Sequence, residues 1–130
     1  MPLARMAMPC SGEHVHVAAW PTVNDNHQLA SRHYAFEGRC FVLATGSIMR
    51  ATALPKVLRV GSNLSPDAWV MRGGSCIIAP DGRFLIEPTF EQEKLLVVDI
   101  DLEEIDREVM TLDVTGHYAR PDLFTFEVKS

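Results

Sequence analysis

Cys10, Cys40 and Cys76 are the chain's thiols. A cysteine reacts as the thiolate, so it needs exposure and a base or positive charge beside it. Cys40 stands where a helical stripe ends and the apolar run Cys40 to Ala44 begins, and Cys76 lies inside a strand beside Ile77. Free cysteine is among the most buried residue types, so both read as core residues. Cys10 falls in a Pro-Cys-Ser-Gly turn and is accessible, but no base of known reach stands next to it. His14 and His16 place two imidazoles on one strand face, a spacing that metal sites use. A zinc site needs three or four ligands with a satisfied second shell, and no suitably spaced pair completes this one, so a polar, partner-facing strand face is the better reading. His27 and His33 lie on the following helix, His33 as a hydrogen-bonded flank of the core. Glu37 shares a helix flank with Ala30 and Tyr34. A carboxylate half-buried there needs a partner, and Arg32 or Arg39 could supply it; a structural ion pair is favoured over a general base. Gly73-Gly74 could admit a ligand close to the backbone, but a bend or bulge at a strand start explains it better. Glu91, Glu93, Glu103 and Glu104 read as a solvated acidic face. No constellation gathers nucleophile, base and oxyanion donors. An independent thiol or metal enzyme built on Cys10, His14 and His16 is the weakest reading.

The elements that must position these residues follow from periodicity. Met1 to Met8 is a short helix, with Leu3, Met6 and Ala7 on one side, ended by Pro9, Ser11 and Gly12. It has no start signal, so the chain is expected to begin inside an element of something longer. His14 to Ala19 alternates as a strand, with Val15 and Val17 on one face. Asp25 and Gln28 resemble a capping box, and the helix after them carries Leu29, His33, Phe36 and Cys40 as one stripe, with Gly38 near its end. Cys40 to Ala44 is an apolar run without alternation, the pattern of a strand covered on both faces. Thr45 to Asp67 has no period and reads as a long loop. Ser75 to Ala79 and Arg83 to Glu87 flank Pro80-Asp81-Gly82, a hairpin turn with a left-handed glycine. Lys94 to Ile100 reads as another buried strand. Asp101 and Glu104 start a helix through Met110, and Leu123 to Val128 alternates as a last strand.

The pattern is α/β, with a mixed sheet and helices on one face. About six strands share only two full helices, Asn26 to Arg39 and Leu102 to Met110. The second face therefore lacks a cover that something outside the chain should supply.

The chain has 130 residues, 47% of them apolar and 22% charged, with a formal net charge of −5. This is the composition of one ordinary globular domain. The acidic balance argues against nucleic acid as a partner. No apolar stretch is long enough to span a membrane, and no signal peptide is visible. Three cysteines spaced 30 and 36 apart do not form a disulfide framework, and a cytoplasmic location is expected.

Four stretches, taken together, resemble a known family: Gly12 to Pro21 (GEHVHVAAWP), Arg32 to Leu43 (RHYAFEGRCFVL), Gly73 to Gly82 (GGSCIIAPDG) and Gly116 to Phe124 (GHYARPDLF). They are similar, in order and over essentially the whole chain, to the C-terminal half of bacterial nitrilases of the carbon–nitrogen hydrolase superfamily. The resemblance implies an αββα sandwich of which residues 1–130 are one partial domain. It also implies hydrolysis of nitriles to acid and ammonia through a cysteine thioester, with a glutamate base, a lysine stabilising the tetrahedral species, and no metal or organic cofactor. In the family the nucleophile sits in a Cys-Trp-Glu stretch just before the segment that MPLARMAM resembles. The base and lysine lie further upstream, so all three are expected outside this chain. Cys10 does not take the nucleophile's place.

What the resemblance leaves here is support. Trp20, Pro21 and Thr22 would line the pocket wall. Arg32, Tyr34 and Glu37 would pack behind it, and His117, Arg120 and Asp122 would help order a region between subunits. A nitrile substrate is expected only for the complete enzyme, and the partners are a second copy or an N-terminal half. A non-enzymatic half that complements such a partner is the alternative; a cyanide-hydrolysing or amidase relative follows behind it.

Overall fold

The computed structural model describes residues 2–59 and 63–128. The chain forms α1 (Pro2–Cys10), β1 (Val15–Trp20), α2 (Asp25–Gly38), β2 (Phe41–Gly46), β3 (Ile48–Arg50), a 3-10 turn (Ala51–Ala53), α3 (Lys56–Arg59), β4 (Trp69–Ile78), β5 (Phe84–Phe90) and α4 (Glu103–Val109). Five strands make one mixed sheet. β1 runs parallel to β2, joined to it through α2 as a βαβ unit. β2 and then β3 pair antiparallel with β4, and β5 closes the hairpin against β4.

The hairpin is the one expected. Gly82 takes φ +84°, its N–H donates to the Ala79 carbonyl at 2.9 Å, and Asp81 accepts from the Arg83 amide at 2.8 Å. α2 is capped one residue earlier than Asp25. Asn24 Oδ1 accepts from the His27 amide at 3.3 Å, and His27 Nδ1 accepts from the Asn24 amide at 3.4 Å, a capping box with histidine as its third residue. The left-handed residue that ends α2 is Arg39, φ 52°, rather than Gly38. Its side chain explains why: it is buried, donating from Nε to the Leu112 carbonyl at 2.8 Å and from Nη1 to the Pro80 carbonyl at 3.2 Å and to Glu108 at 3.3 Å. One guanidinium thus ties the end of α2 to the hairpin turn and to α4.

α2 packs Ala35 onto Ala18, Val42, Ala44, Cys76 and Ile78, with Trp20, Tyr34 and Phe84 around them. The expected stripe is therefore turned outward: Leu29 and Phe36 are exposed, while Ser31 and Ala35 are buried. Small residues let the helix approach the sheet closely, and hydrophobicity alone did not reveal that. On the opposite face, Phe41 and Ala79 pack with Ile105 of α4. α1 and α2 thus share one face and α4 covers one corner of the other. On that other face the β1 flank, with Val15 and Val17, stays exposed.

Three further expectations are corrected. α1 continues through Pro9 to Cys10, so the proline removes one donor from the last turn without ending the helix there. The segment Thr45 to Asp67 is not structureless, since its first residues extend β2 and β3 along β4 and α3 follows. Lys94 to Ile100 and Leu123 to Val128 are not strands among the described residues. A strand exists only as a pair, and no described element offers either run an edge; Leu95, Val97, Phe124 and Val128 are exposed accordingly.

Candidate functional site

A cavity of about 350 Å³ opens between α1, α2 and the first strands, lined by Arg5, Met8, His16, Trp20, Ser31 and Tyr34 among others. Alternation along β1 puts His16, Ala18 and Trp20 on this side and Val15 and Val17 on the other. Two of these lining side chains, His16 and Tyr34, are tied to Glu13, a residue that sequence reasoning passed over. Its Oε2 accepts from the Tyr34 hydroxyl at 2.5 Å and its Oε1 lies 2.8 Å from His16 Nδ1, while the His16 and Tyr34 rings stack at 4.1 Å. Burial, and then the bond to the Glu13 carboxylate, push the Tyr34 hydroxyl well above its usual pKa. Trp20 Nε1 donates to Ser31 Oγ at 3.3 Å, and its ring meets His27 at 4.6 Å. The polar tips of the cavity are thus engaged with one another. The carboxylate is already paired to a phenol and an imidazole, and no thiol lines the space. The only signal for Glu13 was its place three residues before His16, a weak one.

The predicted pocket-wall residues part company. Trp20 lines the cavity with Tyr34, whereas Pro21 is exposed and Thr22 half-buried in the loop beyond. That loop is held by its next residue: Val23 is fully buried and donates from its amide to the Gly73 carbonyl at 2.9 Å. The backbone that approaches Gly73-Gly74 closely is the chain's own Val23 segment. Those glycines do form a bulge, both at left-handed φ, +84° and +89°, but inside β4, which starts at Trp69, rather than at a strand start. Arg32 reaches away, donating from Nε to the Gly82 carbonyl at 2.6 Å and lying over the Phe84 ring. Glu37 pairs with Arg5 of α1 at 2.8 Å, not with Arg32 or Arg39. His117, Arg120 and Asp122 lie in the turns after α4. There Asp113 accepts from the Gly116 and His117 amides, and Arg120 pairs with Asp122 at 2.6 Å on the surface. The acidic face is partly paired as well, Glu91 with Arg72, Glu104 with Arg83 and Glu103 with Arg107.

The thiols fall where expected. Cys40 and Cys76 are buried; burial first, and then the charges of Glu13 and Glu87 respectively, push their pKa values up to about 12 and about 11. Cys10 is exposed at the end of α1, beside a groove lined by Tyr118, Pro121, Phe124 and neighbours that includes no carboxylate and no lysine. His14 precedes β1 and borders a different cavity from His16. Among the described residues no three of His, Cys, Asp and Glu gather to hold a metal, and no helix is long and apolar enough to cross a membrane. One thiol should therefore react with an aromatic disulfide reagent at pH 8 in the folded chain, and three in denaturant. Rapid titration of two or more in the native chain would contradict the burial of Cys40 and Cys76. Because the unfolded chain releases these thiol protons first, stability should fall as pH rises from about 9 and level off only above about 12, measured by urea unfolding across that range.

The sequence pattern of the carbon–nitrogen hydrolase family matches residues 1–107. An aliphatic nitrilase of Sinorhizobium fredii is 40% identical over 130 residues, covering 98% of this chain and 42% of the relative. A bifunctional nitrilase/nitrile hydratase of Nicotiana tabacum is 39% identical over 133 residues, covering 99% of this chain and 38% of the relative. A crystal structure of a carbon–nitrogen hydrolase from Helicobacter pylori superposes with a TM-score of 0.68 at 17% identity, over 94% of this chain and 43% of that one. The chain thus spans about two-fifths of the length of the curated relatives it matches.

Proposed function

The chain belongs to the carbon–nitrogen hydrolase family, and from that premise we propose that it is the C-terminal part of a nitrilase-type enzyme whose catalytic cysteine, glutamate and lysine it does not carry. In the complete enzyme a thiolate adds to the nitrile carbon, the carboxylate activates water, ammonia leaves, and a thioester is hydrolysed to the acid. This part supplies framework to that chemistry. The βαβ unit and hairpin set the position of the Trp20–Thr22 loop, and α4 with the turns after it packs the far corner.

One observation carries the reading. Each thiol is out of place for catalysis: two are buried in the core, where burial pushes their pKa values up, and the third opens on a groove without carboxylate or lysine. The family pattern stops at residue 107, whereas the individual nitrilases go on matching through nearly the whole chain, and the GHYARPD stretch lies beyond that point.

Purified residues 1–130 should release no ammonia above buffer from benzonitrile, phenylacetonitrile or a short dinitrile. Mixing with the complementary part of a nitrilase should produce turnover that disappears when that part's own cysteine is replaced. Turnover by the chain alone, lost on Cys10→Ala, would overturn the proposal and restore the reading built on Cys10, His14 and His16. In the same framework the chain works with a partner half or a second copy, and away from a membrane.

A further inference from the structure

Residues 92–100 are free of helix and turn, and none of their backbone groups bonds to a described residue. Yet they carry the clearest unused strand signal in the sequence, LLVV between Lys94 and Asp99. Their exposure alternates with the two-residue period of a strand: Leu96 and Val98 are half-buried, while Leu95 and Val97 are 84% and 74% exposed. β-branched and leucine side chains in such numbers fit a pleated, covered surface and gain nothing in water. We infer that residues 94–99 are a strand awaiting an edge, and that the edge belongs to the part of the carbon–nitrogen hydrolase that this chain lacks. The inference rests on the reading of the chain as part of a larger enzyme.

Two observations favour that occupant. The matched relatives are more than twice as long as this chain, so most of such an enzyme lies outside it. The segment is also anchored at both ends rather than loose. At one end the Glu91 amide donates to the Arg72 carbonyl at 2.8 Å beside β5; at the other Asp101 accepts from the Glu103 amide at 3.0 Å and pairs with Arg107 at 3.1 Å at the start of α4. A run held at both ends, with its backbone donors and acceptors unspent and one apolar side outward, is built for strand addition: main-chain hydrogen bonds give affinity and alternate side chains give register. Leu95 and Val97 would be covered by the incoming sheet.

Amide hydrogen exchange of the chain alone and of the chain mixed with the complementary part of the Sinorhizobium fredii nitrilase tests this. Amides of 94–99 should exchange freely alone and slow by at least tenfold in the complex. Val97→Pro, which removes one donor from an already unpaired run, should leave the isolated chain unchanged and weaken complex formation at least tenfold. A complex that forms while 94–99 exchange as fast as before would overturn the strand proposal and leave the half-enzyme reading standing. Absence of any complex, with both parts folded, would overturn the half-enzyme reading and with it this inference. Protection that appears in the isolated chain as concentration rises, and reaches the level seen with the complementary part, would assign the edge to a second copy and overturn the occupant named here.

Discussion

Gly74→Ala should remove most of the folded chain, lowering the urea midpoint far more than any other single methyl added to a glycine with positive φ. Two costs add. Gly74 sits at φ +89°, where a side chain costs about 1–2 kcal/mol. A Cβ there would also land on the Val23 carbonyl oxygen and within 2.8 Å of the Phe90 ring, and a backbone oxygen cannot swing aside as a side chain does. The Val23 segment would have to leave β4, giving up its bond to the Gly73 carbonyl and the burial of Val23. Together these exceed about 3 kcal/mol, against the ~5–15 kcal/mol that holds a domain. Gly12→Ala is the control. Its φ is +76°, but a Cβ would meet nothing within 4 Å, so only the backbone cost of about 1 kcal/mol applies. Equal losses in the two variants would show that Val23 does not lie against β4. The loop after Trp20 is where the family resemblance puts the pocket wall, so Gly74→Ala in a reconstituted enzyme should also lower turnover.

The sequence reveals elements whose causes are local. The hairpin was legible because Pro80-Asp81-Gly82 fixes its own geometry, and β1, α2 and β2 were legible from alternation, capping and an unbroken apolar run. What stayed hidden depends on distant residues. The buried face of α2 is made by Ser31 and Ala35 rather than by Leu29 and Phe36, because closeness to the sheet selects for small side chains. Glu37 found Arg5 across α1, and Arg39 found Pro80, Glu108 and Leu112, partners up to 73 positions away. Glu13 became the link of a half-buried cluster only once Tyr34 was folded over it. Lys94 to Ile100 is the opposite case: its local signal is strong and no described strand lies against it.

The same imbalance governs how the chain should behave in solution. A compact monomer of 14.5 kDa exposes about 6,900 Å² by the scaling for folded proteins, whereas this chain exposes 8981 Å². The excess of about 2,100 Å² is well above the ~800 Å² that one partner contributes to a standard interface. It is not spread evenly. Leu95, Val97, Leu123, Phe124 and Val128 are exposed outside the sheet, while α2 and α4 cover opposite faces of the sheet, so Phe41, Ile77 and Ala79 are buried and the bare part of the sheet is the β1 flank. There Val15 and Val17 are 38% and 62% exposed on a strand that is also the sheet's edge. An open edge beside an apolar flank is a template for association. At micromolar concentration the isolated chain should sediment as dimers or larger species and bind a hydrophobic dye. Val17→Lys should shift it toward monomer without lowering its unfolding midpoint, because an exposed valine contributes little to the folded chain and a lysine on an edge strand blocks pairing. Adding the complementary part of a nitrilase should have the same effect by covering the flank. A sharp monomer that binds no dye at any concentration would show that the flank is not an open surface, and that the chain needs no other part to cover it.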